Sequence, residues 1–336
     1  MPKKGARPSN AKKRIIEQYI RKFPKTPNLT LARTIYNDMP EMFMNVESVR
    51  KQIRDVKGTG NKRLTISPEF AENRDSLKNP FKLPESDVKE WLPYILPKNA
   101  NNILVLSDIH LPYHDITAVT LALQYGKEKG INTILLNGDL LDFYGLSRFD
   151  KDPRSRSFSG ELEMARHFFL VLRSEFPDAH IYYKLGNHEE RYEKYLLVKA
   201  PELLGIEEFK LAHLLKAAEY KINVINDKRI IMAGKLPILH GHEFLGATSQ
   251  AVNPARGLFM KTSESCVIGH LHKSSEHNEM TLTGELKTTW SSGCLCDLTP
   301  EYARINKWNH GFCHVTVQNN GHFSLKNLRI FDGSIL

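Results

Sequence analysis

From residue 103 onward, five short apolar runs each end in a cluster of Asp, His, Asn and Gly, and this arrangement limits the chain to few folds. Residues 103–106 lead into Ser107-Asp108-Ile109-His110, and 133–136 into Asn137-Gly138-Asp139-Leu140-Leu141-Asp142. Residues 181–185 lead into Gly186-Asn187-His188-Glu189, 238–239 into His240-Gly241-His242, and 266–268 into Gly269-His270-Leu271-His272. Helical patterns at 117–129 and 161–175 intervene. Alternating apolar strands and helices predict an α/β domain of layered sheets. In such folds polar loops meet at the carboxyl ends of the strands, so the five clusters are expected at one sheet edge. The remaining sequence reads as antiparallel strands, with Asn319-Asn320-Gly321 as a hairpin turn.

The residue types in these clusters have one chemistry in common. Asp and His are oxygen and nitrogen ligands for Mn, Fe, Zn or Ni. A carboxylate shared between two cations holds them about 3.5–4 Å apart, where both reach one phosphate. Bound water then ionises near neutral pH. Glycines before Asp139, Asn187, His270 and His272 allow sharp turns beneath such a centre. Any one of these motifs arises often by chance; five in succession, each after a strand, point to a metal centre.

The order Asp-x-His, Gly-Asp-x-x-Asp, Gly-Asn-His-Glu, His-Gly-His, Gly-His-x-His resembles that of the calcineurin-like metallophosphoesterases, over residues 103 to about 330. The resemblance implies a β-sandwich of two mixed sheets flanked by helices. It implies two divalent metal ions, Mn2+ foremost, with Fe, Zn or Ni as alternatives. Asp108, His110, Asp139 and His272 would hold the first, and Asp139, Asn187, His240 and His270 the second. His242 is left open between the metal shell and a supporting position. His188 matches the family's catalytic histidine and Asp142 the carboxylate that orients it, with a metal-activated hydroxide attacking phosphorus in line.

Charge is unevenly spread. Residues 1–63 hold 16 Lys and Arg against 5 Asp and Glu, a balance of +11; the remainder holds 31 against 33, a balance of −2. Three helices are expected within residues 1–58. The first carries Ile15, Ile16, Tyr19, Ile20 and Phe23 on one face, the second runs from about Leu29 to Pro40, and the third is capped by Asn45. Arg50, Lys51, Arg54 and Lys57 fall off the apolar stripe of the third helix, and the set resembles a helix-turn-helix domain. A basic domain at 1–58, a proline-punctuated connector at 59–100 and a catalytic domain at 101–336 follow, with nucleic acid as the expected partner of the first. A bundle that only docks on the catalytic domain is the alternative. The four cysteines are expected as buried thiols, and no apolar run suggests a signal peptide or a membrane span, so a cytoplasmic protein is expected.

These features fix the reaction type more firmly than the substrate. A phosphodiesterase or nuclease acting on nucleic acid agrees best with the charge division. A phosphomonoesterase is the alternative, and an inactive DNA-binding regulator is disfavoured because no ligand position is missing. Arg191 is a candidate for the substrate phosphate or for a salt bridge. The basic stretch 148–160 is read as a lid or a solvated insertion, Trp308 and Phe312 as packing residues of the second sheet, and His114, His277, His310, His314 and His322 as structural.

Overall fold

The computed structural model describes residues 10–57, 91–147, 157–244 and 252–336. Most of the expected connector and residues 148–156 of the basic stretch lie outside these. The chain divides into two compact units between Leu92 and Pro93.

In the first unit α1 (Asn10–Lys22), α2 (Asn28–Asp38) and α3 (Val46–Val56) close around Ile16, Tyr19, Ile20, Leu31, Ile35, Phe43, Val49 and Ile53. These recur three and four residues apart, which places them on the inner stripe of each helix. The Asn45 side chain accepts from the Ser48 backbone N–H at 2.8 Å and caps α3 as its sequence predicts. Tyr19, otherwise buried, donates its hydroxyl to Asp38 at 2.8 Å. On α3, Arg50 and Arg54 both pair with Glu47, at 3.2 and 3.3 Å. Of the four basic residues expected to form an open face, Lys51 alone is exposed, and Arg50, Arg54 and Lys57 are half-buried.

The second unit contains two sheets. One runs β1 (Tyr94–Ile95), β6 (Ile231–Ala233), β7 (Leu236–Leu239), β8 (Cys266–Ile268), β10 (Leu286–Ser291) and β9 (Ser275–Met280) in spatial order. The other runs β13 (Ser334–Ile335), β12 (Phe323–Phe331), β11 (His310–Val317), β2 (Asn102–Leu106), β3 (Thr133–Asn137), β4 (His180–Lys184) and β5 (Ile222–Ile225). In this second sheet β2 to β5 are parallel, whereas β11, β12 and β13 are antiparallel. The tail was expected to be antiparallel throughout, but β10 is antiparallel to β9 and parallel to β8.

Alternation along the strands builds both layers. Ile103 and Val105, with Leu135 and Tyr182, face Ile231, Leu236, Ile238 and Val267 of the other sheet. Their neighbours Leu104, Leu106, Ile134, Leu136, Ile181 and Tyr183 face a second core, shared with α4 (Ile116–Glu128), α5 (Phe158–Glu175) and α6 (Glu190–Lys199). Since successive side chains point to opposite faces and both are buried, β2, β3 and β4 are apolar or aromatic through their central positions, 103–106, 134–136 and 181–183. The short α7 (Leu211–Leu214) and α8 (Pro254–Thr262) complete the helices. Among the described residues no helix is long and apolar enough to cross a membrane. All four cysteines are buried and free.

Candidate metal centre

β2, β3, β4, β7 and β8 deliver their five polar clusters to one edge, as their spacing in sequence predicts. The loops are tied together before any side chain is considered. Asp108 N donates to Gly138 O at 3.1 Å, His110 N to Asp139 O at 3.0 Å, and Gly269 N to His240 O at 2.9 Å. Carboxylates continue the network: Asp139 Oδ1 accepts from His188 N at 2.9 Å, and Asp108 Oδ2 from His270 N at 2.8 Å.

The backbone turns hard here. Asp108, His110, Asp139, His270 and His272 all adopt left-handed φ angles between 51° and 67°. Asp and His tolerate this region better than most residues, yet five in one centre is a concentration of strain. A Cβ on Gly186 would overlap the Asp139 carboxylate, and one on Gly138 the His240 ring. Both glycines are therefore required by close approach, and Gly138, at φ 87°, by its turn as well.

The donor atoms converge on Asp139. His240 Nε2 lies 3.2 Å from Asp139 Oδ2, and His110 Nε2 lies 3.9 Å from the same oxygen. Asn187 Oδ1 is 3.2 Å from His240 Nε2. On the other side, His110 Nε2 faces His272 Nε2 at 3.2 Å, and His272 Nε2 stands 3.3 Å from Asp108 Oδ1. Asp108, His110 and Asp139 bring one ligand atom each within 4.8 Å of one another, and so do Asp139, His240 and His270. Asp108 and His240 are fully buried, and Asp139 is 1% exposed.

Such a cluster suits cations. Asp108 Oδ1 is buried without accepting a hydrogen bond, and two imidazole nitrogens point at each other. Buried carboxylates and lone pairs left this way are costly unless a positive charge joins them. The protonation balance has the same sense. Burial opposes a charge on His240, but Asp139 beside it lifts the imidazole to about 10. Burial likewise opposes a charge on His272, and Asp108 lifts it to about 9. Asp139 itself, despite burial, is held well below the usual carboxylate range by His240 and His188.

His188 sits at the rim. Its Nδ1 is 2.8 Å from Asp142 O and 3.3 Å from Asp142 Oδ1, and its Nε2 is 3.8 Å from Asp139 Oδ2. Burial lowers its pKa, but Asp139 and Asp142 outweigh burial and raise it. Asp142 Oδ1 also stands 3.3 Å from His110 Nδ1, so one carboxylate orients two imidazoles. His242 turns away: its Nε2 meets Glu190 at 2.9 Å.

Several participants were not evident from sequence. Glu189 accepts from three backbone N–H groups, those of Asp139 at 3.0 Å, Leu141 at 2.9 Å and Gly186 at 2.7 Å. Glu161 of α5 accepts from Phe143 N at 2.6 Å. Arg191, which the sequence does single out as a candidate for the substrate phosphate or a salt bridge, donates to Asp142 O at 2.7 Å and to His188 Nε2 at 2.9 Å. Trp308 is half-buried against His272, ring centroids 4.2 Å apart, and belongs to the site rather than to sheet packing; Phe312 is fully buried, as expected. Cys296 Sγ lies 3.9 Å from His272 Nδ1. His277, His310, His314 and His322 find partners elsewhere.

The sequence model of calcineurin-like phosphoesterases matches residues 102–288. Among solved structures, the chain is similar to vacuolar protein sorting 29 from Cryptosporidium parvum, at 14% identity and a TM-score of 0.38, over 70% of this chain and 94% of that one. It is similar to the phosphoesterase Yfce from E. coli, at 15% identity and a TM-score of 0.32, over 67% and 98%. A dimetal phosphatase from Danio rerio is similar at 10% identity and a TM-score of 0.32, over 68% and 96%. No curated protein matches. The family match covers more than half of the chain and includes every one of the five motifs, and the chain belongs to the calcineurin-like phosphoesterase family of metal-dependent phosphoesterases.

Proposed function

We propose that this chain hydrolyses phosphodiesters of nucleic acid at a two-cation centre. The observation that carries the reaction is the position of Asp139, with one His/Asp group on each side of it and His188 beside it. Asp108, His110, Asp139 and His272 would hold one cation, and Asp139, Asn187, His240 and His270 the other. Mn2+ is the proposed metal, with Fe, Zn or Ni as alternatives that a mixed Asp, Asn and His shell also accepts. When bound, the pair supplies charge to grip the phosphate and to make water a nucleophile at neutral pH.

The protein's own groups do the rest. His188 delivers a proton to the leaving oxygen, and Asp142 fixes the ring through Nδ1 so that Nε2 faces the reaction. Arg191 takes a non-bridging oxygen of the phosphate, for which its planar fork is suited. Glu189 holds the loops of Asp139 and Gly186 in register. His242, with its Nε2 2.9 Å from Glu190, takes no place among the metal ligands.

Nucleic acid is favoured as substrate by the charge division, +11 over residues 1–63 against −2 over the rest. Phosphate neutralisation by Lys and Arg supplies most non-specific affinity for nucleic acid. The pairing of Arg50 and Arg54 with Glu47 favours the second reading, a phosphomonoesterase whose helical unit serves docking. With Mn2+ added, a nuclease hydrolyses a bis-aryl phosphate faster than a mono-aryl phosphate, and the reverse ranking selects the monoesterase. DNA binding should weaken steeply with salt and vanish when residues 1–58 are deleted; binding that ignores salt would reject nucleic acid as the partner.

A further inference from the structure

Two of the loops at the metal centre are joined from beneath by a buried charge pair. Lys184, the last residue of β4, is completely buried three positions before Asn187. Its Nζ lies 2.9 Å from Glu243 Oε1 and donates to Arg229 O at 2.6 Å. The two oxygens of Glu243 are fully used: Oε1 accepts from His240 N at 3.0 Å, and Oε2 from Gly241 N at 2.6 Å. Gly241 has φ 128°, and a Cβ there would crowd His270 Cβ at 3.0 Å, so this turn has little preference of its own to hold it. His240 Nδ1 is 2.8 Å from Asn137 O, which aims Nε2 at Asn187 Oδ1 and Asp139 Oδ2, each at 3.2 Å.

A buried ion pair adds little net stability, because desolvation offsets attraction. What this pair does add is geometry. A carboxylate that grips two consecutive N–H groups fixes their peptide planes, and a lysine on the neighbouring strand fixes the carboxylate. From this we infer that Lys184 and Glu243 are positioning residues for one cation of the two, the one shared by Asp139, Asn187, His240 and His270. The inference rests on the ligand assignment proposed above. It makes the two cations unequal: disturbing the pair weakens the second and leaves the first, held by loops of β2, β3 and β8, unchanged.

The test is Mn2+ titration of the full chain, with metal content per chain and thermal midpoint measured together. The double variant Lys184→Met with Glu243→Gln leaves no unpaired buried charge and is expected to fold. Wild type should bind two Mn2+. The double variant should bind the first with wild-type affinity and the second about 10- to 100-fold more weakly, the usual cost of losing a ligand's outer support. Its turnover should recover at excess Mn2+. Two Mn2+ bound at wild-type affinity, or both weakened alike, would overturn the inference. Fewer than two Mn2+ in wild type would overturn the ligand assignment, and the inference with it. Should the double variant fail to fold, Glu243→Asp retains the charge, shortens the reach and supports the same comparison.

Discussion

The Arg191 guanidinium donates to His188 Nε2 at 2.9 Å, so the nitrogen assigned to deliver a proton is, before substrate arrives, a hydrogen-bond acceptor. Arginine has no acceptor to offer, so in the neutral ring this contact places the His188 proton on Nδ1, toward Asp142 O at 2.8 Å, and Arg191 opposes the charged ring that Asp139 and Asp142 favour. A substrate phosphate competes for the same guanidinium. Its arrival draws Arg191 off Nε2 and leaves that nitrogen open to a proton. Arg191→Ala is expected to lower kcat/KM by about 10- to 100-fold, as for loss of a charge-assisted hydrogen bond, with Mn2+ content unchanged. Loss of metal in this variant would show a structural role instead.

His188→Ala removes the proposed acid but no proposed ligand. Turnover should fall by about 10²- to 10⁴-fold while two Mn2+ remain bound, measured by metal analysis of the purified variant. The defect should be smallest on esters with acidic phenol leaving groups, which depart without a proton. Equal losses on good and poor leaving groups would contradict the acid assignment.

Asp139→Asn keeps the size of the shared side chain and removes its charge. Since Asp139 stands between both donor groups, metal content should drop below one per chain and turnover by at least about 100-fold. A variant that kept both cations would show that Asp139 does not bridge them.

Glu161 gives a pH signature that needs no metal. Burial raises its carboxyl from 4.5 to about 7, with the Asp142 charge adding to the rise and the Phe143 N–H opposing it. The folded state thus holds this proton more tightly than the unfolded chain. Its contribution to stability is complete below pH 4.5 and is lost as pH rises through about 7, by up to about 3 kcal/mol. Glu161→Gln retains an acceptor for Phe143 N–H and cannot ionise. Denaturant unfolding at pH 5 and pH 8 should therefore show a smaller fall in stability for the variant than for wild type; parallel falls would exclude Glu161 as the source.

What could be read from sequence was set by distance along the chain. Asp108, His110 and Asp139 were legible because each closes an apolar run, and a parallel sheet buried on both faces needs such runs. The supporting groups gave no such pattern. Glu189 bonds Asp139 N from 50 residues away, and Glu161 bonds Phe143 N from 18. Backbone N–H groups have no residue type, so neither bond has a signature in sequence. The basic face of α3 is a different case. Glu47 precedes Arg50 by three and Arg54 by seven residues, a helical spacing that predicts the observed pairing. There, counting positive charge hid the carboxylate among it. Trp308 was placed in a sheet because it neighbours β11, but it sits just before the strand begins and turns toward His272.

The left-handed backbone at Asp108, His110, Asp139, His270 and His272 bears on how this protein would respond to selection. A non-glycine residue in that conformation costs on the order of 1–2 kcal/mol that glycine would not. A search for heat-resistant variants that ignored turnover would thus be drawn to glycine first at the histidines, since at Asp108 and Asp139 glycine would also strip His270 N and His188 N of their acceptors. Heat tolerance and hydrolysis pull this chain in opposite directions at His110, His270 and His272, and a sturdier protein obtained that way would be an inert one.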